Sequence, residues 1–333
     1  MPERIKGRII RAACSMGGYR LARLLTRNHP RVLMYHRFSA LEESGKVSAA
    51  TFERQVIELK KNCNVRSLSD LFKLVREGNP LPPNTIAITV DDGYDDFYRI
   101  AYPILKRYGL PATIYITTDF IDGELWLWPD KITYILNNTS SDKTTLRLAD
   151  GSEMVLSLLT AADRSGTWSR LIDHCLTLGE QDRWSFIENL GRDLAVDVDA
   201  KPPTTHAPMS WTAVREISEN GIEIGAHTRS HPVLSRLNRD RLREEIHGSK
   251  KQLEDIIGKS VTDFCYPNGQ PADYNDEVKR MVIDCGYSSA TVAFHDKHVW
   301  KDPFEIRRYG VGADPVQFRK AIYGIEYLSD RLQ

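Results

Sequence analysis

Short apolar runs that stop abruptly on polar residues alternate along this chain with longer stretches whose apolar positions repeat every three or four residues. The runs at 31–36, 86–90, 112–117, 222–226, 262–266, 288–292 and 305–311 are short and largely apolar, several of them rich in β-branched residues or bounded by Pro, Gly or Asn, which predicts short buried strands. Between them, Phe52, Val56 and Leu59 share one face behind a Ser48 cap. Helices are also predicted over 70–77, 97–108, 210–220 and 239–257, through Val278, Met281 and Cys285, and after a cap at Asp314. Pro103 lies inside the 97–108 pattern and is expected to kink or restart that helix. Strand, helix and strand at this spacing imply parallel crossovers. Without a Gly-rich phosphate loop, they favour a closed or nearly closed βα barrel over a nucleotide-binding sheet.

The rhythm breaks after Asp122. From about 123 to 209 polar turns mix with helical segments carrying Trp126, Trp128, Trp168 and Trp184, which reads as a mainly helical insertion into a barrel spanning 30–312. Its tryptophans suit a small separate core, or, for Trp126 and Trp128 close behind a strand end, a wall on which a sugar could stack. Residues 313–333 read as a C-terminal helix. Residues 1–29 form a basic amphipathic segment, with Ile5, Ile9, Ala13 and Met16 at helical spacing, a Gly17-Gly18 break, then Leu21, Leu24 and Leu25. That segment either packs on the domain or touches a membrane surface.

Composition narrows the partners. Forty-five basic and forty-five acidic residues balance, so nothing global points to nucleic acid. The five cysteines are widely spaced with no Cys-x-x-Cys, which argues against a disulfide framework and suits a reducing compartment. Arg8, Arg11, Arg20 and Arg23 interrupt every apolar stretch near the start, so neither a secretory signal nor a membrane span is expected. The expected location is the cytoplasm, with the inner membrane face as the surface the basic segment would reach.

The chemistry centres on the run that ends in Asp91-Asp92-Gly93, where a buried strand delivers two carboxylates and a glycine allows the turn. Tyr35-His36 ends another strand in the same manner. His227 and His231 stand four apart after a third, on a loop because Pro232 disfavours helical angles at His231. Two imidazoles with one carboxylate, Asp92 the obvious choice, form a common facial ligand set for a divalent metal.

With Val90-Asp91-Asp92-Gly93, His227-Thr228-Arg229-Ser230-His231 and Phe264-Cys265-Tyr266-Pro267-Asn268-Gly269 in this order, the sequence resembles the polysaccharide deacetylase family, also called carbohydrate esterase family 4 and related to nodulation chitooligosaccharide deacetylases. The resemblance covers roughly 30–312. Tyr35-His36 and Glu305-Ile306-Arg307-Arg308-Tyr309 resemble, more narrowly, bacterial members associated with exopolysaccharide clusters. It implies a distorted (β/α)7 TIM-like barrel, the polysaccharide deacetylase fold, and metal-dependent removal of an acyl group from an amino sugar, with zinc the usual ion. Residue by residue, it implies Asp91 as general base and Asp92, His227 and His231 as metal ligands. A backbone amide among Tyr266, Pro267 and Asn268 would stabilise the oxyanion.

The chain departs from the family pattern at Cys265, where an arginine is usual, at Asn268 in place of a tyrosine, and in lacking a clear late Leu-x-His. Arg307 or Arg308 is a candidate replacement for the arginine, and His36, His295 and His298 are candidates for the acid. The catalytic set is thus read as Asp91, His36 and Arg308. The resulting expectation is an N-deacetylase acting on an N-acetylated sugar, polysaccharide or lipid-linked precursor, with Zn2+, Co2+, Ni2+ or Fe2+ accepted by the ligands. A deformylase for a lipid-linked amino sugar and an inactive carbohydrate-binding protein of the same fold are the alternatives.

Overall fold

The computed structural model describes residues 17–296, 298 and 300–330. Among the described residues, seven parallel strands form the curled path of one sheet: β1 (Arg31–Tyr35), β2 (Thr85–Val90), β3 (Thr113–Ile116), β4 (Glu223–Ala226), β5 (Asp263–Cys265), β6 (Ser289–Thr291) and β7 (Tyr309–Gly310), in the order β6-β5-β4-β3-β2-β1-β7, with a short eighth strand, Asn64–Val65, paired to β2 off that path. All six residues of β2 are buried, as an inner parallel strand covered on both faces requires. The run read as one last strand is divided. Ile306 bridges Thr291 of β6, and Tyr309 pairs Leu33 of β1, so residues 306–310 span the gap between the sheet's two edges. The architecture is the distorted (β/α)7 barrel.

Helices pack outside the strands through the expected stripes. Ser48 accepts a hydrogen bond from the Thr51 N–H and caps Ala49–Asn62, whose Phe52, Val56 and Leu59 are fully buried. Pro103 acts as anticipated: a π-helical turn, Phe97–Ala101, precedes a restarted α-helix, Tyr102–Tyr108.

The insertion has its own core. Helices Trp128–Asn138, Ala161–Thr177 and Glu180–Asp193 bury Ile132, Leu171 and Ile187 together, beneath a hairpin of Lys143–Arg147 and Glu153–Ser157. That hairpin was not anticipated; its first strand is mostly polar, its second runs Met154-Val155-Leu156 without alternation, and in the two strands only Leu146 and Leu156 are buried, so the period-2 signal is weak. Trp126 and Trp128 are each 2 % exposed. They pack against Tyr134 and Arg183 respectively, so the alternative of a sugar-stacking wall is not met by this pair.

The tail is two helices, Pro315–Tyr323 and Ile325–Asp330, divided at Gly324 with φ +79°, where a Cβ would press on Thr26 and Arg31. Ile5, Ile9, Ala13 and Met16 lie outside the described residues. The second run is the helix Gly18–Leu25, which buries Ala22 and sets Tyr19 against Tyr323, with ring centroids 5.5 Å apart. Leu21, Leu24 and Leu25 are 59 %, 58 % and 61 % exposed. No helix among the described residues is long and apolar enough to cross a membrane.

Gly225, in β4 two residues before His227, lies under the Tyr115 ring, where a Cβ would overlap Cδ1 and Cε1. Gly225→Ala should lower stability by roughly 1–3 kcal/mol through overpacking. Urea unfolding of the two proteins checks this.

Candidate metal centre and active site

The C-terminal ends of β1, β2, β4 and β5 open into one pocket of about 260 Å³, lined among others by His36, Asp91, Asp92, His227, His231, Tyr266, Asn268 and Arg308. This is the end at which βα barrels carry their sites. Pro267 is the one predicted site residue that does not line it.

β2 stops at Val90, and the Asp91 N–H still bonds to the Tyr35 carbonyl of β1. Asp92 then takes φ +78° and Gly93 φ +98°, which turns both carboxylates to the same side. Thr228, His231 and Asn268 also have positive φ, at 68°, 57° and 60°. Such conformations are costly for side chains other than glycine and need neighbours to impose them. For the histidine loop the neighbour is Glu245, fully buried on the helix Arg239–Ile257. Its Oε2 accepts from the Arg229 and Ser230 amides, at 2.8 and 2.9 Å, and its Oε1 from the Ser230 hydroxyl.

His227 Nδ1 is 2.8 Å from the Cys265 carbonyl, an acceptor only, so this nitrogen carries the proton and Nε2 presents its lone pair. The Nε2 atoms of His227 and His231 lie 3.5 and 3.6 Å from the same oxygen, Asp92 Oδ1. One ligand atom from each of the three residues falls within 4.8 Å of the others. Burial, with Asp91 adding to it and His227 opposing, pushes the Asp92 carboxyl up to about 7. Burial and then His227 push His231 well down, toward the neutral imidazole that a metal requires. A buried carboxylate facing two imidazole nitrogens is a site short of positive charge, and a divalent cation fits it.

Asp91, His227 and Cys265 form a second close group, but its charge is already balanced. Arg308 Nη1 and Nη2 donate to Asp91 Oδ1 and Oδ2 at 2.6 and 2.8 Å. Its remaining donors reach Thr89 Oγ1, Val292 O and Cys265 Sγ. Burial alone would raise Asp91; the charge and hydrogen bonds of Arg308, with His36 and His227, hold it well below the usual carboxylate range.

The other candidates separate clearly. His36 Nε2 is 3.6 Å from Asp91 Oδ2, with its side chain 47 % exposed at the pocket mouth. His295 is tied to Asp330 and stacked on Tyr309, and His298 is exposed elsewhere. Arg307 pairs with Asp296 and Glu305 and does not line the pocket. The Tyr266 amide is taken by the Thr291 carbonyl and proline has no N–H, so two of the three predicted oxyanion donors are unable to serve. Asn268 differs: its side-chain Nδ2 is buried in the pocket wall without a hydrogen-bond partner among the described residues.

Sequence reasoning missed Glu245, Arg37, Asp130, Trp168 and Ile172, the last four all in the pocket lining. Glu245 had a signal, a carboxylate on the stripe of Leu242, Ile246, Ser249 and Leu253 that helical spacing turns inward. Arg308→Gln should cost ~3–5 kcal/mol by leaving Asp91 buried and unpaired. Arg308→Lys should recover only part of it, because an ammonium lacks the two-pronged fit; denaturant midpoints measure both.

A profile described as polysaccharide deacetylase matches residues 78–146 and 197–290. YxkH of Bacillus subtilis (strain 168), named as a polysaccharide deacetylase, is 21 % identical over 257 residues, 77 % of this chain and 61 % of that protein. A poly-beta-1,6-N-acetyl-D-glucosamine N-deacetylase of Staphylococcus aureus is 34 % identical over 79 residues, 23 % of this chain and 27 % of that protein. The chain thus spans less than two thirds of the length of either curated relative. Among solved structures, the Streptococcus pyogenes deacetylase PplD in complex with acetate superposes with a TM-score of 0.58 at 16 % identity, over 88 % of this chain and 97 % of that one, which shows the shared fold. By its matched segments, motifs and barrel, this chain belongs to the polysaccharide deacetylase family.

Proposed function

We propose that the protein is a metal-dependent hydrolase that removes the N-acetyl group from an amino sugar of a polysaccharide or its lipid-linked precursor. The observation that carries this reading is the adjacency of two differently tuned carboxylates in one pocket: Asp92 among two imidazoles, and Asp91 clamped by Arg308. The N-deacetylase named among the relatives supports acetyl as the acyl group and an N-acetylated saccharide as the substrate class.

Asp92, His227 and His231 would hold the ion, with zinc first among the metals suited to this donor set. When bound, such an ion supplies Lewis acidity that acidifies a water and polarises an acyl carbonyl. The residues of this chain do the rest. Asp91, kept ionised and fixed in orientation by Arg308, accepts the proton of the attacking water. Asn268 Nδ2, already desolvated and without a partner among the described residues, donates to the oxygen that gains charge. His36, beside Asp91 yet open to the mouth, passes a proton to the departing amine. The bond broken is the amide C–N; the products are a carboxylate and an amino sugar.

Asp91→Asn should keep its metal and lose turnover by about 10²–10⁴-fold, whereas His227→Ala should lose both. Elemental analysis of the purified proteins, paired with amine release from N-acetylglucosamine oligomers, measures the two effects. Unchanged turnover in either variant would sink the assignment.

We also infer peripheral contact with the cytoplasmic face of a membrane. The support is the row of exposed leucines, Leu21, Leu24 and Leu25, on a helix that carries Arg20 and Arg23. The protein should co-sediment with vesicles containing anionic lipid at low salt, and Leu21→Glu with Leu24→Glu should release it. Equal sedimentation of both proteins, or none for the unaltered one, would contradict this contact.

A further inference from the structure

Four tryptophans mark the insertion, and they have separate fates. Trp126 and Trp128 are 2 % exposed, whereas Trp168 is 37 % exposed and faces the pocket that holds Asp91 and Asp92. Trp168 lies on the helix Ala161–Thr177, with Ile172 four residues on and therefore on the same side. Both line the pocket. The indole N–H donates to Thr133 Oγ1 at 3.0 Å, so the polar edge of the ring is satisfied within the insertion.

Arg37, Tyr94 and Asp130 form a polar part of the same lining, held in place by contacts among themselves. The Arg37 guanidinium lies over the Tyr94 ring, 3.9 Å from its centroid, and Arg37 Nη1 is 3.8 Å from Asp130 Oδ1. Tyr94 OH donates to the other Asp130 oxygen at 2.6 Å. An anchored aromatic ring and a charged, hydrogen-bonding pair lining one pocket complement a pyranose, which has apolar C–H faces and a polar hydroxyl edge.

Trp168 and Ile172 fall between the two segments matched by the family profile, 78–146 and 197–290. The wall they form is therefore carried by the part of this chain that the shared domain does not account for.

We propose that Trp168 and Ile172 form an accessory subsite that stacks a second sugar ring, next to the one whose acyl group is removed, with Arg37 and Asp130 taking its hydroxyls. The subsite makes the enzyme selective for oligomeric over monomeric substrate. This rests on the deacetylase reading above, and the test keeps the two apart.

The probes are the N-acetylglucosamine monomer and β-1,4- and β-1,6-linked tetramers, followed by calorimetry for binding and by amine release for turnover. In Trp168→Ala, tetramer Kd and KM should rise about tenfold, the scale of one lost aromatic contact. The kcat value and the monomer's KM should stay unchanged, and Trp168→Phe should restore most of the tetramer affinity. Equal tetramer Kd and KM in Trp168→Ala and the unaltered protein would overturn the subsite and leave the deacetylase reading standing. A fall in kcat shared by monomer and tetramer would overturn it too, as that marks a structural role. Tetramer binding that weakens in Trp168→Ala without any amine release from the unaltered protein would uphold the subsite and overturn the deacetylase. Failure of the unaltered protein to bind either tetramer would overturn both.

Discussion

The buried pair between Arg308 and Asp91 is the contact on which the rest of the molecule depends. It joins the end of β2 to the segment that spans the two edges of the sheet, so one interaction fastens the barrel and sets the chemistry of its mouth. Taking a guanidinium and a carboxylate out of water is unfavourable unless every donor finds an acceptor and the geometry is good. Here Nη1 and Nη2 grip both carboxylate oxygens, and Thr89, Val292 and Cys265 take the other donors. The pair also divides the labour of neighbouring residues. Asp91 has its countercharge within the protein, while among the described residues Asp92 is paired only with two imidazoles.

That division needs a backbone in unfavourable conformations. Asp92, Thr228, His231 and Asn268 all sit at positive φ, each costing of order 1–3 kcal/mol. Buried hydrogen bonds hold these turns. Glu245 caps two amides of the histidine loop, and Thr228 Oγ1 accepts from the His231 N–H at 3.1 Å. Arg241, 2.9 Å from Glu245, supplies the charge that permits a carboxylate there. The site is thus assembled before any substrate arrives, which is where electrostatic catalysis gains most.

The insertion is a second, smaller core appended to the barrel rather than an extension of the first. Its buried residues pack among themselves, and Trp168 and Ile172 meet the pocket at their edge. A barrel supplies a fixed geometry at its strand ends; an added layer can reshape the mouth without disturbing it.

Much of this was legible along the chain. The strands, the capped helix behind Ser48, the restart at Pro103 and the residues Asp91, Asp92, His227 and His231 follow from local rules of periodicity, turn chemistry and donor type. These rules act over a few residues and so leave their mark in a linear pattern. That pattern offered Arg308 beside Arg307 and His36 beside His295 and His298 without the contacts that separate them, and it put a sugar wall on Trp126 and Trp128 rather than on Trp168. Which member of each set enters the pocket depends on the partners that long-range packing supplies: Asp91 for Arg308, Asp330 for His295, Tyr134 for Trp126. The sequence alone determined the chemical inventory and its likeness to a family. Only the tertiary structure decided which groups share a cavity, because burial and opposing charge belong to residues far apart in the chain.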